Sequence, residues 1–166
     1  MSRSGSWHGT MVVVIQEMGS SEVEQFLRSQ VVGRVGCHVA GVTYVVPVIY
    51  AWDSGCAYVY SVEGQKVQMM RENPKVCFEV DEYQASGGWR SAIVQGTYEE
   101  LSGDDAAFTL RLLVERFARR AGDGEGGGQR PRGEGRVPVA FRIRSEEVTG
   151  RKVDRSPSVD TAGRGG

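Results

Sequence analysis

A chain of 166 residues, 40% hydrophobic and 25% charged, is long enough for one compact domain that buries about 70% of the surface its unfolded chain exposes. Its 20 Lys and Arg against 21 Asp and Glu, formal net charge -1, supply no general attraction to nucleic acid or an anionic membrane, so any basic site must be local. Cys37, Cys56 and Cys77 are odd in number and form no close pair of metal-ligand spacing, which argues against a disulfide framework and for reduced, structural thiols.

Residues 1–17 read as an N-terminal tail. The opening MSRSGSWHGT has no apolar core of a secretory signal, and the longest nearly apolar runs, 11–15 and 45–52, fall far short of the roughly 20 residues that span a bilayer. A cytoplasmic protein with no membrane partner is expected. Ser21 with Glu24 makes a capping box ahead of Val23, Phe26 and Leu27, predicting a helix over about 21–30. The Val-, Ile- and Tyr-rich stretch 31–61, punctuated by Ala40-Gly41 and Asp53-Ser54-Gly55, predicts three strands joined by tight turns. Both alternating sets of the middle strand are apolar: Val42, Tyr44, Val46, Val48 and Tyr50 on one face, Val45, Pro47, Ile49 and Ala51 on the other. Such a strand belongs in a barrel wall that is covered from outside.

A helix over about 64–72 ends at Asn73-Pro74, where proline disfavours continuation. Strands follow at about 76–82 and 90–101. Asp104 and Asp105 open a third helix, whose Leu110, Leu113, Val114 and Phe117 form a stripe expected to pack on the barrel, with Arg111, Glu115 and Arg119 facing water. Residues 122–136 are Gly- and Arg-rich and too poor in apolar groups to offset their ordering entropy, which predicts a mobile loop. Arg130, Arg132 and Arg136 among glycines suggest an RNA-binding segment, but no aromatic accompanies them and Asp123, Glu125 and Glu134 dilute the charge. A solvated linker, and no nucleic-acid partner, is the expectation. An apolar strand pattern resumes at Val137, and 153–166 read as a disordered tail.

The chemistry concentrates in 58–81, YVYSVEGQKVQMMRENPKVCFEVD. A strand runs through Ser61 and Gly64 into a helix that opens beside Lys66. Unpaired N–H groups at the helix start and a lysine in the first turn make a phosphate seat; the competing reading is an ordinary corner with a solvated lysine. Pro47 removes a donor from the middle strand, so the sheet is expected to be open beside it, through a bound group or simply at an edge or bulge. Trp89-Arg90-Ser91 places an aromatic, a guanidinium and a hydroxyl at the mouth of another strand, where Trp89 could equally be a core plug and Arg90 a surface or interface ion pair. His8 lies in the tail and His38 on a strand. No nucleophile set, metal cluster or dinucleotide fingerprint is visible, so no catalytic side chain is assigned and difficult chemistry would belong to a cofactor.

In order and spacing, GSSEVEQFLRSQ, VVGRVGCHVAGVTYVVPV, the phosphate turn, NPKVCFEVDE, WRSAIVQGTYEEL and FRIRSEEVTGR resemble the pyridoxamine 5'-phosphate oxidase-like, FMN-binding split-barrel flavoproteins, most closely the branch with the nitroimidazole-resistance reductases. The resemblance covers about residues 18–151, with the domain taken as 18–152. It implies a mainly β (α+β) fold, a six-stranded antiparallel split β-barrel with flanking helices. The outer cover of its middle strand would be a helix, the flavin or a second subunit. It implies FMN as cofactor, its phosphate on Ser61, Gly64, Gln65 and Lys66, its ring against main chain of Val46, Pro47, Val48 and Ile49 and bordered by Trp89 and Ser91. Many relatives carry histidine at the place of Tyr60 and arginine at the place of Gln65, so one phosphate contact differs here and Arg90 could compensate. The implied assembly is a homodimer with FMN at the subunit interface. The implied activity is FMN-dependent oxidoreduction of a small molecule, nitroreductase-like because the chain closes with FRIRSEEVTGRKV where true pyridoxamine phosphate oxidases hold substrate with tryptophan and arginine. The alternative is a non-catalytic flavin-, deazaflavin- or heme-binding barrel.

Overall fold

The computed structural model describes residues 14–85, 87–121 and 137–154; the expected 122–136 loop lies outside them, as do nearly all of both expected tails. In chain order the elements are β1 (Gln16–Glu17), α1 (Ser20–Ser29), β2 (Val32–Val39), β3 (Val42–Asp53), β4 (Cys56–Val62), α2 (Gln65–Glu72), β5 (Lys75–Tyr83), β6 (Trp89–Leu101), α3 (Gly103–Ala121) and β7 (Pro138–Val153). The sheet order is β1-β7-β4-β3-β2-β5-β6, and a further pairing of β6 with β7 closes β2 to β7 into a six-stranded antiparallel ring. This is the expected mainly β split barrel.

Two-residue loops join β2 to β3 and β3 to β4. Ala40 and Gly41 have φ of 49° and 80°, Ser54 and Gly55 of 47° and 73°, the paired positive values that match hairpin twist and that glycine tolerates at the second position. Inside the ring, Phe78 and Phe141 are fully buried. Tyr50 packs edge-on against Phe78 at 4.8 Å and donates its hydroxyl to the Leu27 carbonyl at 2.6 Å, satisfying the one polar atom its burial strands. Burial pushes the phenol above its ordinary range.

Several expectations are corrected. Gln16–Glu17, read as tail, pairs with Lys152 and Arg151, and Val153 is a buried strand residue opposite Trp89; two-residue pairing has no hydrophobic period to betray it. Helix α1 begins after Gly19 with no side-chain cap, because the N-cap is a glycine and the expected box of Ser21 and Glu24 lies inside the helix, where Glu24 accepts from the Trp52 indole at 2.8 Å and from Arg28 at 3.0 Å. On α3 only Leu113 of the expected stripe is buried, while Leu110, Val114 and Phe117 face outward. The helix is turned so that Thr109 is buried and Phe108 meets Tyr58 edge-on at 5.4 Å. Cys77 is only half-buried, and Gln95 donates to its sulfur at 3.8 Å.

Candidate functional site

The ring is not closed equally all round. Strand β2 pairs with β3 along the whole of β2, from Val42 opposite Val39 to Ile49 opposite Val32. Against β4, β3 pairs only at Tyr50, Ala51, Trp52 and Asp53. Beyond Val59 the chain leaves β3, and Tyr60, Ser61 and Val62 keep only their pairing with Ala140, Val139 and Pro138 of β7. Ile49 and Val48 therefore face Tyr60 and Ser61 across a split rather than a ladder. The open main-chain edge expected around Pro47 is present, and Pro47 lies exposed on it opposite Arg34.

Ser61 leads directly into the turn that starts α2. Gly64 is the N-cap with extended backbone and no side-chain cap; the Glu63 amide is taken by the Val137 carbonyl at 2.8 Å. In the first turn the N–H groups of Gln65, Lys66 and Val67 have no intrahelical acceptor by helix geometry. Val67 and Met70 are fully buried and fix α2 to the core, so Gln65 stays exposed and Lys66 half-exposed. The Ser61 hydroxyl has no hydrogen bond to the described residues, and Tyr60 is exposed beside it. One side of the split carries Val46, Pro47, Val48 and Ile49 on β3, and the other Tyr60 and Ser61 at the end of β4, followed by Gly64, Gln65 and Lys66 at the start of α2.

Trp89, Arg90 and Ser91 are elsewhere. Pro47, Arg34, Glu79 and Ile93 form one row across β3, β2, β5 and β6, about 14 Å at strand spacing, and the three residues lie further up β6. Arg90 pairs with Glu82, its Nε 3.1 Å from Oε2, and lies 4.8 Å over the Phe26 ring, so within the chain it takes the ion-pair role. That bond holds the Glu82 carboxyl below its usual range. Half-buried Trp89 pairs with Tyr83 and Val153. Ser91 lines a cleft of about 450 Å³ with Glu17, Ile93 and Arg151.

Charge clusters also escaped the sequence reading. Arg34 on the outer face bonds Glu79 at 3.0 Å and also Asp81, yet burial still pushes the Glu79 carboxyl up. Beside the split, Arg71 bonds Glu63 at 2.9 Å and grips Glu100 with two bonds of 2.7 and 2.8 Å, keeping the Glu100 carboxyl below its usual range. The only sequence signal was an arginine in the last turn of the predicted 64–72 helix; its partners lie 8 and 29 residues away, beyond helical spacing. Among the described residues no group of three or more His, Cys, Asp or Glu could hold a metal, and no helix is long and apolar enough to cross a membrane.

The chain is similar to a described FAD-binding protein of Mesorhizobium loti, at 30% identity and a TM-score of 0.71 over 87% of this chain and 100% of that one. An uncharacterised protein of Rhizobium meliloti is 27% identical over 147 residues, 82% of this chain and 94% of the relative. A candidate 5-nitroimidazole antibiotic resistance protein of Bacteroides thetaiotaomicron shares the fold, with a TM-score of 0.67 over 92% of this chain and 100% of that one, at 16% identity; its likeness is one of fold, so the expected nearness to that branch is not established. The sequence profile of the pyridoxamine 5'-phosphate oxidase family matches residues 19–152. A match over most of the domain, together with the split six-stranded ring, makes this chain a member of the pyridoxamine 5'-phosphate oxidase family.

Proposed function

We propose that this protein binds a flavin nucleotide in the split between β3 and β4 and works as a flavin-dependent reductase of small molecules. The observation that carries the reading is the divergence after the Tyr50 and Val59 pair, which sets an unladdered strand edge opposite the turn that opens α2. The donor chemistry fits. A polar ring edge needs main-chain donors and acceptors, which residues 46–49 carry, Pro47 lacking only its donor; a phosphate needs N–H groups, a hydroxyl and a positive charge, which Gly64, Gln65, Ser61 and Lys66 offer. When bound, the flavin would supply the hydride and single-electron chemistry that no side chain here provides. The seat recognises a terminal phosphate, which favours FMN; the FAD in the description of the Mesorhizobium relative makes FAD the occupant to test against it. Reduction, rather than oxidation of pyridoxamine phosphate, rests on the closing strand FRIRSEEVTGRKV.

The reading includes a second copy of the chain. Val32 (53%), Val45 (58%) and Ile49 (49%) leave a broad apolar outer face exposed, and no described helix covers it. A two-fold dimer burying more than about 1,000 Å² would cover it and bring the partner's equivalent of the Trp89-Arg90-Ser91 segment toward the split. The visible spectrum of freshly purified protein tests the cofactor: flavin bands support the proposal, whereas a heme Soret band, a deazaflavin spectrum, or no uptake of added FMN or FAD would refute it.

A further inference from the structure

We infer that Arg71 is a positioning residue of the phosphate turn: by holding the Glu63 carboxylate it keeps an anion built into that turn from opposing the ligand's phosphate. The inference rests on the reading of 61–66 as a phosphate seat. Glu63 lies between Ser61 and Gly64, the worst place in the turn for a negative charge, and its amide is pinned to the Val137 carbonyl at 2.8 Å, so the residue cannot swing away as a whole. Its carboxylate is instead met by Arg71 Nη1 at 2.9 Å. Arg71 is itself aligned from the barrel: Nε and Nη2 donate to the two oxygens of Glu100 at 2.7 and 2.8 Å, and the Tyr98 hydroxyl donates to Glu100 Oε2 at 2.9 Å. A guanidinium fork locked on one carboxylate has a fixed direction for its remaining donor. Stability does not account for the arrangement, because ion pairs this exposed, 44% for Arg71 and 30% for Glu63, contribute little to folding. Removing the arginine would leave two uncompensated carboxylates beside the seat, a penalty felt by a phosphate and not by an uncharged ring.

The test compares FMN and riboflavin affinities of the full-length wild type with Arg71→Met, Glu63→Gln and the double variant. Wild type prefers FMN; Arg71→Met lowers FMN affinity about tenfold while riboflavin stays within about twofold. Glu63→Gln binds FMN at least as well as wild type. In the double variant FMN affinity returns to within about threefold of wild type. A double variant as weak as Arg71→Met would overturn the inference, showing that Arg71 acts directly or only structurally. Equal loss of riboflavin in Arg71→Met would overturn it too, as damage to the fold. Wild type that binds both flavins equally would instead refute the phosphate seat, and the inference with it.

Discussion

The barrel has one wall that is closed and one that is parted. Strands β6 and β7 pair without a gap from Trp89 opposite Val153 to Leu101 opposite Ala140, with a single irregularity at Gln95 and Gly96, and ion pairs from Arg142 and Arg144 to Glu99 lace their outer surface. Strands β3 and β4 share only the short ladder beside their hairpin. The parted wall comes from the more apolar sequence, VTYVVPVIYAWD and CAYVYSV against WRSAIVQGTYEEL and PVAFRIRSEEVTGRKV, so hydrophobicity did not decide which would close. The difference lies in where the chain goes next: β7 ends beside α1, whereas β4 must leave its neighbour to deliver Ser61 to α2. A barrel can be stable through one wall while the other offers its main chain to a ligand.

The largest expected effect belongs to the closed half. Phe141 on β7 is fully buried and meets Tyr98 at 5.2 Å, so Phe141→Ala should lower unfolding free energy by about 3–5 kcal/mol. Val45→Ala on the parted side, measured by urea denaturation below the dimer's dissociation range, should cost less than about 0.5 kcal/mol. Equal losses would erase the distinction between the walls. Next comes Ile49→Glu, which places a charge at the proposed subunit contact and should weaken self-association by about 2–4 kcal/mol, read by sedimentation at decreasing concentration. A wild type that is monomeric at every concentration would remove the second copy from the account.

A smaller loss sharpens the closed side. Glu99 accepts from Arg142 Nε at 2.6 Å and Arg144 Nε at 2.8 Å, bonds that hold its carboxyl below the usual range. A carboxyl depressed in the folded state stabilises above its ordinary pKa and loses that contribution as pH falls toward its folded value. Glu99→Gln should therefore cost about 0.5–1 kcal/mol at neutral pH and progressively less on acidification. A cost that grows as pH falls would contradict the sign.

The barrel was legible because its signals are local: two-residue turns at Ala40-Gly41 and Ser54-Gly55, a strand apolar on both faces, and Pro47 marking an edge. The turn from Ser61 to Lys66 was legible for the same reason. What escaped depends on partners distant in sequence. Glu24 looked like part of a cap but lies inside α1 and accepts from Trp52 of β3, and Phe108 of α3 meets Tyr58, a face that the 3.6 period cannot choose among several apolar stripes. Arg71 with Glu63 and Glu100 joins a turn, a helix and β6, and only the closed ring brings them together.

The central claim, that the split seats a flavin through its phosphate, is tested most directly by fluorescence titration of the apoprotein with FMN, FAD and riboflavin, repeated on Lys66→Ala. The account predicts tightest binding for FMN, weak binding of riboflavin, and a Lys66→Ala variant that keeps its fold while losing about 1.5–3 kcal/mol, roughly ten- to hundredfold, for FMN alone. Equal affinities for FMN and riboflavin, or an FMN affinity untouched by loss of Lys66, would contradict it.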